Sequence, residues 1–360
     1  MTRSTVSLER AWLRVDLGAL CGNARRLAGL VGRPLLAMVK ADAYGLGAVR
    51  VAESLESVDP WGYGVATAAE GACLRRAGIE RPIVVFTPAR SQDLPRYAEL
   101  GLRAVVGDLD TLDVCIDGGH SFHAEIDTGM SRSGFRWTDS QAVQAFAARV
   151  ADAPAWEGIF THFHSAESDP DATEAQWTRF QQVVASLPRR PRLVHAANSA
   201  GCAAGSRYAA DLVRPGIFLY GARAGSLTPE PVASLHARVI ALRRLEAGDT
   251  VSYDAEVTLS QETTVATLAI GYADGVPRSL GNRGRVAIQG ALAPILGRVT
   301  MDMMMIDVSG LAVKLGDVAT VFGDGLSLDE QAAVAGTNSY EMLTRVTSRV
   351  PRVYHTKESA

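Results

Sequence analysis

The chain has 360 residues, with 36 basic and 39 acidic side chains and a net charge of −3. That near balance speaks against a nucleic-acid binder, which carries a basic excess, and a composition 21% charged and 47% hydrophobic excludes wholesale disorder. No apolar run approaches the roughly 18 residues of a membrane span, and the opening MTRSTVSLERAW lacks a signal-peptide core. The four cysteines (Cys21, Cys73, Cys115, Cys202) are scattered, with no C-x-x-C pair and no disulfide framework. A reducing, cytoplasmic setting is expected.

Short apolar runs alternate with helical patterns over the first two-thirds. The expected strands are LLAMV at 35–39, YGVAT at 63–67, IVVFT at 83–87, RAVVG at 103–107, FHAEI at 122–126, GIFTH at 158–162, RLVHA at 192–196 and GIFLY at 216–220. Continuous runs rich in Val, Ile and Phe suit parallel strands buried on both faces. Each gap has room for a crossover helix. One helix is well marked: Asp169 caps it, Pro170 occupies its first turn, and Trp177, Phe180, Val184 and Leu187 form an apolar stripe. Eight β/α repeats point to a closed (β/α) barrel, with an open doubly wound sheet as the alternative that spacing leaves standing. After about Ala224 the rhythm changes. Residues 233–325 are Val-, Thr- and Gly-rich with period-two stretches such as TVATLAI at 264–270 and RVAIQG at 285–290, which reads as a mostly antiparallel β domain. The expected division is a barrel over 1–226 and a β domain over 227–360, with the first ~10 residues able to join the β domain instead.

Chemistry in such a barrel sits at the carboxyl ends of the strands. Lys40 closes the first strand; it is either a solvated lysine or a desolvated amine nucleophile with a lowered pKa. Tyr44 and Gly45 follow in the loop. His162 ends strand six and reads better as a stacking or hydrogen-bonding histidine than, with His164, as a metal pair. Asn198 and Ser199 follow strand seven, either as a helix cap or as a phosphate-binding helix start. Arg214, in RPGI, either pairs with an acid such as Asp211 or is a fixed cation facing a ligand. Glu125 and Arg132 bracket DTGMSRSGF as a surface ion pair or as part of a site. Tyr253 lies in the β domain, and Met303, Met304 and Met305 read as packing residues.

Taken together, AWLRVDLGAL (11–20), VKADAYGLGA (39–48), DTGMSRSG (127–134), THF (161–163), HAANSAG (195–201), RPGIFLYG (214–221), VSYDAEVT (251–258), IGYADGVPR (270–278), GRVTMD (297–302), SYE (339–341) and RVPRVY (349–354) resemble the alanine racemases, fold-type III pyridoxal-phosphate enzymes. Many such pieces in order, on both domains, make a specific match. The resemblance implies a barrel and a β domain paired head to tail in a homodimer that interconverts L- and D-alanine and supplies D-alanine for peptidoglycan. It implies pyridoxal 5'-phosphate held on Lys40 as the Schiff-base lysine. Tyr253 would be the second base, supplied across the dimer. His162 would stack on the pyridine ring and Arg214 would hydrogen-bond its nitrogen. Tyr44, Ser199, the amides of Gly216 and Ile217, and Tyr340 would hold the phosphate. Arg132 and the amide of Met301 would meet the substrate carboxylate, and Tyr272 and Asp302 would line the access channel. No metal is implied. An arginine at the ring nitrogen cannot readily give up its proton, which weakens the electron sink and suppresses side reactions.

The chain departs from the family pattern at Glu125, where many members carry a carbamylated lysine; both are anionic, so Glu125 is expected to orient Arg132 without carbon dioxide. HFHSAES replaces the common HFATAD, and Asp42, Leu46 and Thr300 stand at variable positions. Two other classes compete. A related decarboxylase would place an acid where Arg214 stands, and a non-catalytic pyridoxal-phosphate carrier would lack the β domain. Substrate range, alanine against serine, turns on about 1–3 kcal/mol in a methyl pocket and is not legible in the residues.

Overall fold

The computed structural model describes residues 9–356. Strand β1 (Ala11–Asp16) opens the described chain. Strands β2 (Leu36–Met38), β3 (Gly62–Val65), β4 (Ile83–Val85), β5 (Leu102–Val106) and β6 (Phe122–Asp127) then pair in parallel, in sequence order. A two-residue strand β7 (Phe135–Arg136) pairs with β6, and β8 (Trp156–Phe160) and β9 (Leu193–His195) continue the main order after β6. Helices cross between successive strands; that of Pro170–Ser186 is capped by Asp169, whose side chain accepts from Ala172 N, and it buries Trp177 and Phe180.

The run GIFLY at 216–220 is not the eighth strand. Residues 217–220 form turns, with Leu219 N donating to Gly216 O at 2.8 Å. The ring is closed two residues earlier. Val213 and Arg214 make parallel bridges to Leu35 and Asn198, and Leu36 N donates to Val213 O at 2.8 Å. Pro215 has no N–H to extend that pairing. The apolar run is buried all the same, and a buried turn and a buried strand look alike by hydropathy. The closed (β/α) barrel itself is present. Leu36, Val84, Val105, Phe160 and Leu212 form a cluster apart from the main core, drawn from strands around the ring, and fill part of its interior.

The second unit is a mostly antiparallel sheet. Strand β10 (Ala233–Leu245) is its spine: it pairs with β1, with Val318–Phe322 and with Thr263–Leu268. β1 also pairs in parallel with Arg352–His355, so the two ends of the described chain meet here. The expectation about the first ten residues falls largely on residues 1–8, outside the described residues. Arg352 ties this sheet to the barrel, donating to Gly45 O at 2.9 Å and to the carbonyls of Val346, Thr347 and Val350.

Candidate active site

A cavity at the carboxyl ends of the barrel strands is lined by Lys40, Tyr44, Arg132, His162, Ser199, Arg214, Gly216, Ile217 and Tyr340, together with Met38, Phe86 and Asn198. Ten residues singled out from the sequence, Asn198 among them, therefore converge, although they are spread over some 300 positions.

Lys40 follows the fully buried strand β2. Desolvation, and next the positive field of Arg132, push its ammonium pKa down, with Glu70 opposing. The chain then makes an unusual turn: Ala41, Asp42, Ala43 and Tyr44 all have φ of 53–56°. Successive left-handed residues cost about 1–2 kcal/mol each, so this turn needs external support. Glu70 Oε1 accepts from Ala41 N at 2.7 Å, Asp42 Oδ1 accepts from Ala48 N at 2.7 Å, and Gly45 N donates to Ala41 O at 2.8 Å. The turn brings Tyr44 back into the cavity, stacked on Tyr220 at 4.5 Å and 6.0 Å from Tyr340. Burial pushes Tyr44 up, and burial followed by the charge of Glu167 pushes Tyr340 up to about 12. Both phenols thus stay protonated donors.

Asn198 caps a short helix, accepting from Gly201 N at 2.8 Å, and the neighbouring Ser199 Oγ accepts from Gly216 N at 2.9 Å. A Cβ on Gly216 would lie 2.1 Å from Tyr44 Oη. The backbone here is open to close approach because there is no side chain, and Gly216, Ser199, Tyr44 and Tyr340 line the cavity together.

Arg214 does not pair with Asp211, which takes Arg190 instead at 2.5 Å. It is 3% exposed, and every hydrogen bond it makes among the described residues goes to a neutral acceptor. These are Thr161 O at 2.8 Å, Ala196 O at 3.0 Å, His195 Nδ1 at 2.8 Å and, at 3.4 Å, His162 Nδ1. Its guanidinium carbon also lies 5.1 Å from the Phe160 ring centroid. Burial lowers its pKa only to about 10, so it remains a cation. His162 is the converse case. Burial, then Arg214, Arg132 and Lys40, push it down to about 3 and keep the ring neutral.

Glu125 is not a surface ion-pair partner. It is 4% exposed and accepts from Ser133 Oγ at 2.7 Å; burial raises its pKa, while Ser133 and Arg132 oppose. Arg132 itself is exposed at the cavity.

Tyr253, Tyr272, Met301 and Asp302 are elsewhere. With Arg278, Arg298, Thr300 and Arg345 they line a separate recess on the β domain, sharing no residue with the first cavity. Tyr253 is 68% and Met301 52% exposed. Two tight loops make this recess: Tyr272 N donates to Thr300 O and Ala273 N to Met301 O, at 2.9 and 3.0 Å. The residues expected at the site thus lie in two separate recesses of the chain. Sequence reasoning missed Phe86 and the supporting residues Glu70, His195 and His123. The last two were visible as histidines inside apolar strand runs.

Comparison with known proteins decides the family. The family profile for the alanine racemase N-terminal domain matches residues 15–224, and that for the alanine racemase C-terminal domain matches residues 232–354. The chain belongs to the alanine racemase family. An alanine racemase of Deinococcus radiodurans is 39% identical, over 96% of this chain and 99% of that one; one of Desulforamulus reducens is 36% identical over the same shares. Among solved structures, alanine racemase from Bartonella henselae, with covalently bound pyridoxal phosphate, superposes with a TM-score of 0.90 at 30% identity, covering 96% of this chain and all of that one. The biosynthetic alanine racemase of Pseudomonas aeruginosa gives 0.88 at 32% identity over 97% and 100%. The alanine racemase family is pyridoxal-phosphate-dependent, and this member is an amino-acid racemase, an isomerase.

The depressed His162 has a consequence for stability. Its folded pKa is near 3 and the unfolded value near 6.5, so on acidification the unfolded state takes up the proton first. Stability falls as pH drops from about 6.5 towards 3, by up to about 1.4 kcal/mol per pH unit for one group. Urea unfolding of wild type and His162→Gln across that window is expected to show a shallower decline in the variant. Equal slopes would show that His162 titrates normally.

Proposed function

We propose that the chain interconverts L- and D-alanine with pyridoxal 5'-phosphate, using Lys40 and Tyr253 as bases on opposite faces of the substrate, in a head-to-tail homodimer. The residues of the barrel cavity fit this cofactor. Lys40 offers an amine with a depressed pKa. The corner of Tyr44, Ser199, Gly216, Ile217 and Tyr340 offers hydroxyls and amides to a phosphate. His162 offers a neutral ring face, and Arg214 a cation for the ring nitrogen. The buried Arg214, hydrogen-bonded only to neutral groups, carries this reading, because an acid in its place would mark a different chemistry.

When bound, the cofactor supplies the electron sink that acidifies the substrate Cα–H. The protein does the rest. Lys40, its ammonium pKa lowered by burial, would hold the cofactor and move the proton on the D face; Tyr253 would serve the L face. Arg214 would donate a hydrogen bond to the ring nitrogen without surrendering its own proton. Arg132 and the Met301 amide receive the substrate carboxylate, and Glu125, buried and within the field of Arg132, positions that guanidinium. Tyr272 and Asp302 border the way in. The separation of the Tyr253 recess from the Lys40 cavity supports completion by a second subunit, along the proposed division into a barrel over 1–226 and a β domain over 227–360. D-alanine supply for peptidoglycan is the role proposed, and the free state of all four cysteines supports a reducing, cytoplasmic setting.

Incubation with pyridoxal phosphate and L-alanine in heavy water tests the activity. D-alanine carrying Cα deuterium is expected. Absence of both exchange and inversion, with the cofactor visibly bound, would make alanine the wrong substrate. Mixing and refolding Lys40→Ala with Tyr253→Phe tests the trans arrangement. Each variant alone is expected to lose racemisation, and the mixture to regain it, because the heterodimer has one site with both bases. No regain in a mixture shown to contain heterodimers would place the two bases in one chain.

A further inference from the structure

Arg214 leads into a line of buried polar groups that the racemisation chemistry does not use. Its Nη1 lies 2.8 Å from His195 Nδ1, His195 Nε2 lies 2.8 Å from His123 Nδ1, and His123 Nε2 lies 3.5 Å from Glu157 Oε2. Arg103 Nε closes the line on Glu157 Oε2 at 3.2 Å. Both histidines have no exposed surface. Arg103 and Glu157 stand near the starts of β5 and β8, whereas Arg214 lies at the mouth. The line therefore crosses the barrel from the active-site end to the opposite end.

The directions of the two hydrogen bonds that join Arg214, His195 and His123 are fixed by donor arithmetic. An arginine only donates, so His195 Nδ1 must hold a lone pair. The single proton of neutral His195 is then on Nε2, and it donates to His123 Nδ1. His123 in turn carries its proton on Nε2, which makes no hydrogen bond among the described residues; the Glu157 carboxylate, held by Arg103, lies 3.5 Å away as its charged neighbour. Protonating either histidine would set two donors face to face. The packing enforces this arrangement. His195 stacks on Phe160 at 5.1 Å and 11°, and Gly158 leaves room for His123, since a Cβ there would lie 2.5 Å from His123 Nδ1. Burial also pushes both imidazoles below their usual range, the charge of Arg214 adding to this.

We propose that His195, His123 and Glu157 are positioning residues for the reaction: a one-way polar relay, hydrogen-bonded from Arg214 through His195 to His123 and ended by the charge of Glu157 at the far end of the barrel, that holds Arg214 in the orientation it presents to the cofactor nitrogen. This rests on the reading of Arg214 given above. The Glu157 anion polarises each imidazole in turn, so His195 Nδ1 becomes a better acceptor for a guanidinium that has no acid of its own.

Nitrogen-15 spectra of histidine-labelled protein, as isolated and loaded with pyridoxal phosphate, test the relay. His195 and His123 are expected as neutral Nε2–H tautomers across about pH 6–9, where an ordinary histidine titrates. A proton on Nδ1 of either, or titration in that range, would overturn the relay. In Glu157→Gln the shape remains and the anion is lost. The His195 ring shifts are expected to move, the visible band of the bound cofactor to move with them, and kcat to fall about 10-fold or more with little change in KM. Moved His195 shifts with an unmoved band and unchanged kcat would overturn the positioning role. If Glu157→Gln does not fold, the wild-type tautomers still decide the relay. Absence of a visible band in wild type would sink the cofactor reading instead, while the tautomers measured on the protein as isolated would stand.

Discussion

A buried guanidinium without an acid of its own sets the terms for the whole barrel mouth. Taking a cation out of water is costly unless each N–H finds an acceptor. Arg214 finds them in the carbonyls of Thr161 and Ala196 and in His195 Nδ1, with the Phe160 ring alongside. These come from residues at the ends of β8 and β9, so the geometry of the charge is the geometry of the barrel. The same charge governs its neighbours. It helps keep His162 and His195 neutral and contributes to the depressed pKa of Lys40. One constraint thereby supplies a neutral ring face, a usable amine and a fixed donor.

The other constraint is backbone. The left-handed turn at Ala41–Tyr44 is costly locally and is held by Glu70 from the next crossover helix, and from the far side by contacts to the C-terminal segment. Gly47 shows how tight that contact is: its φ is +93°, and a Cβ would lie 2.0 Å from Tyr354 Oη. The β domain is therefore part of what shapes the barrel mouth, besides carrying Tyr253. Arg352 and Tyr354 join the two units here, donating to Gly45 O and Leu46 O.

Much of this was legible in the residues. Seven strands fall within about two residues of where apolar runs place them, because parallel strands buried on both faces leave an unambiguous signature. The eighth failed because GIFLY is buried for another reason, packed as a turn after Pro215. Side chains at strand ends, such as Lys40 and Arg214, could be found by the rule that chemistry sits at carboxyl ends. The choice between Asp211 and a ligand for Arg214 could not, since pairing depends on three-dimensional neighbours. The left-handed turn had no local signal, for Ala-Asp-Ala-Tyr favours no such conformation. Tyr253 was reached through family resemblance alone; nothing in its own surroundings, exposed on a β-domain loop, marks it as a base.

The proposed chemistry depends on Arg214 donating a hydrogen bond to the cofactor nitrogen without protonating it. The most direct measurement is the nitrogen-15 chemical shift of ring-labelled pyridoxal phosphate bound to the protein. An unprotonated, hydrogen-bonded pyridine nitrogen is expected. A pyridinium signal would contradict it.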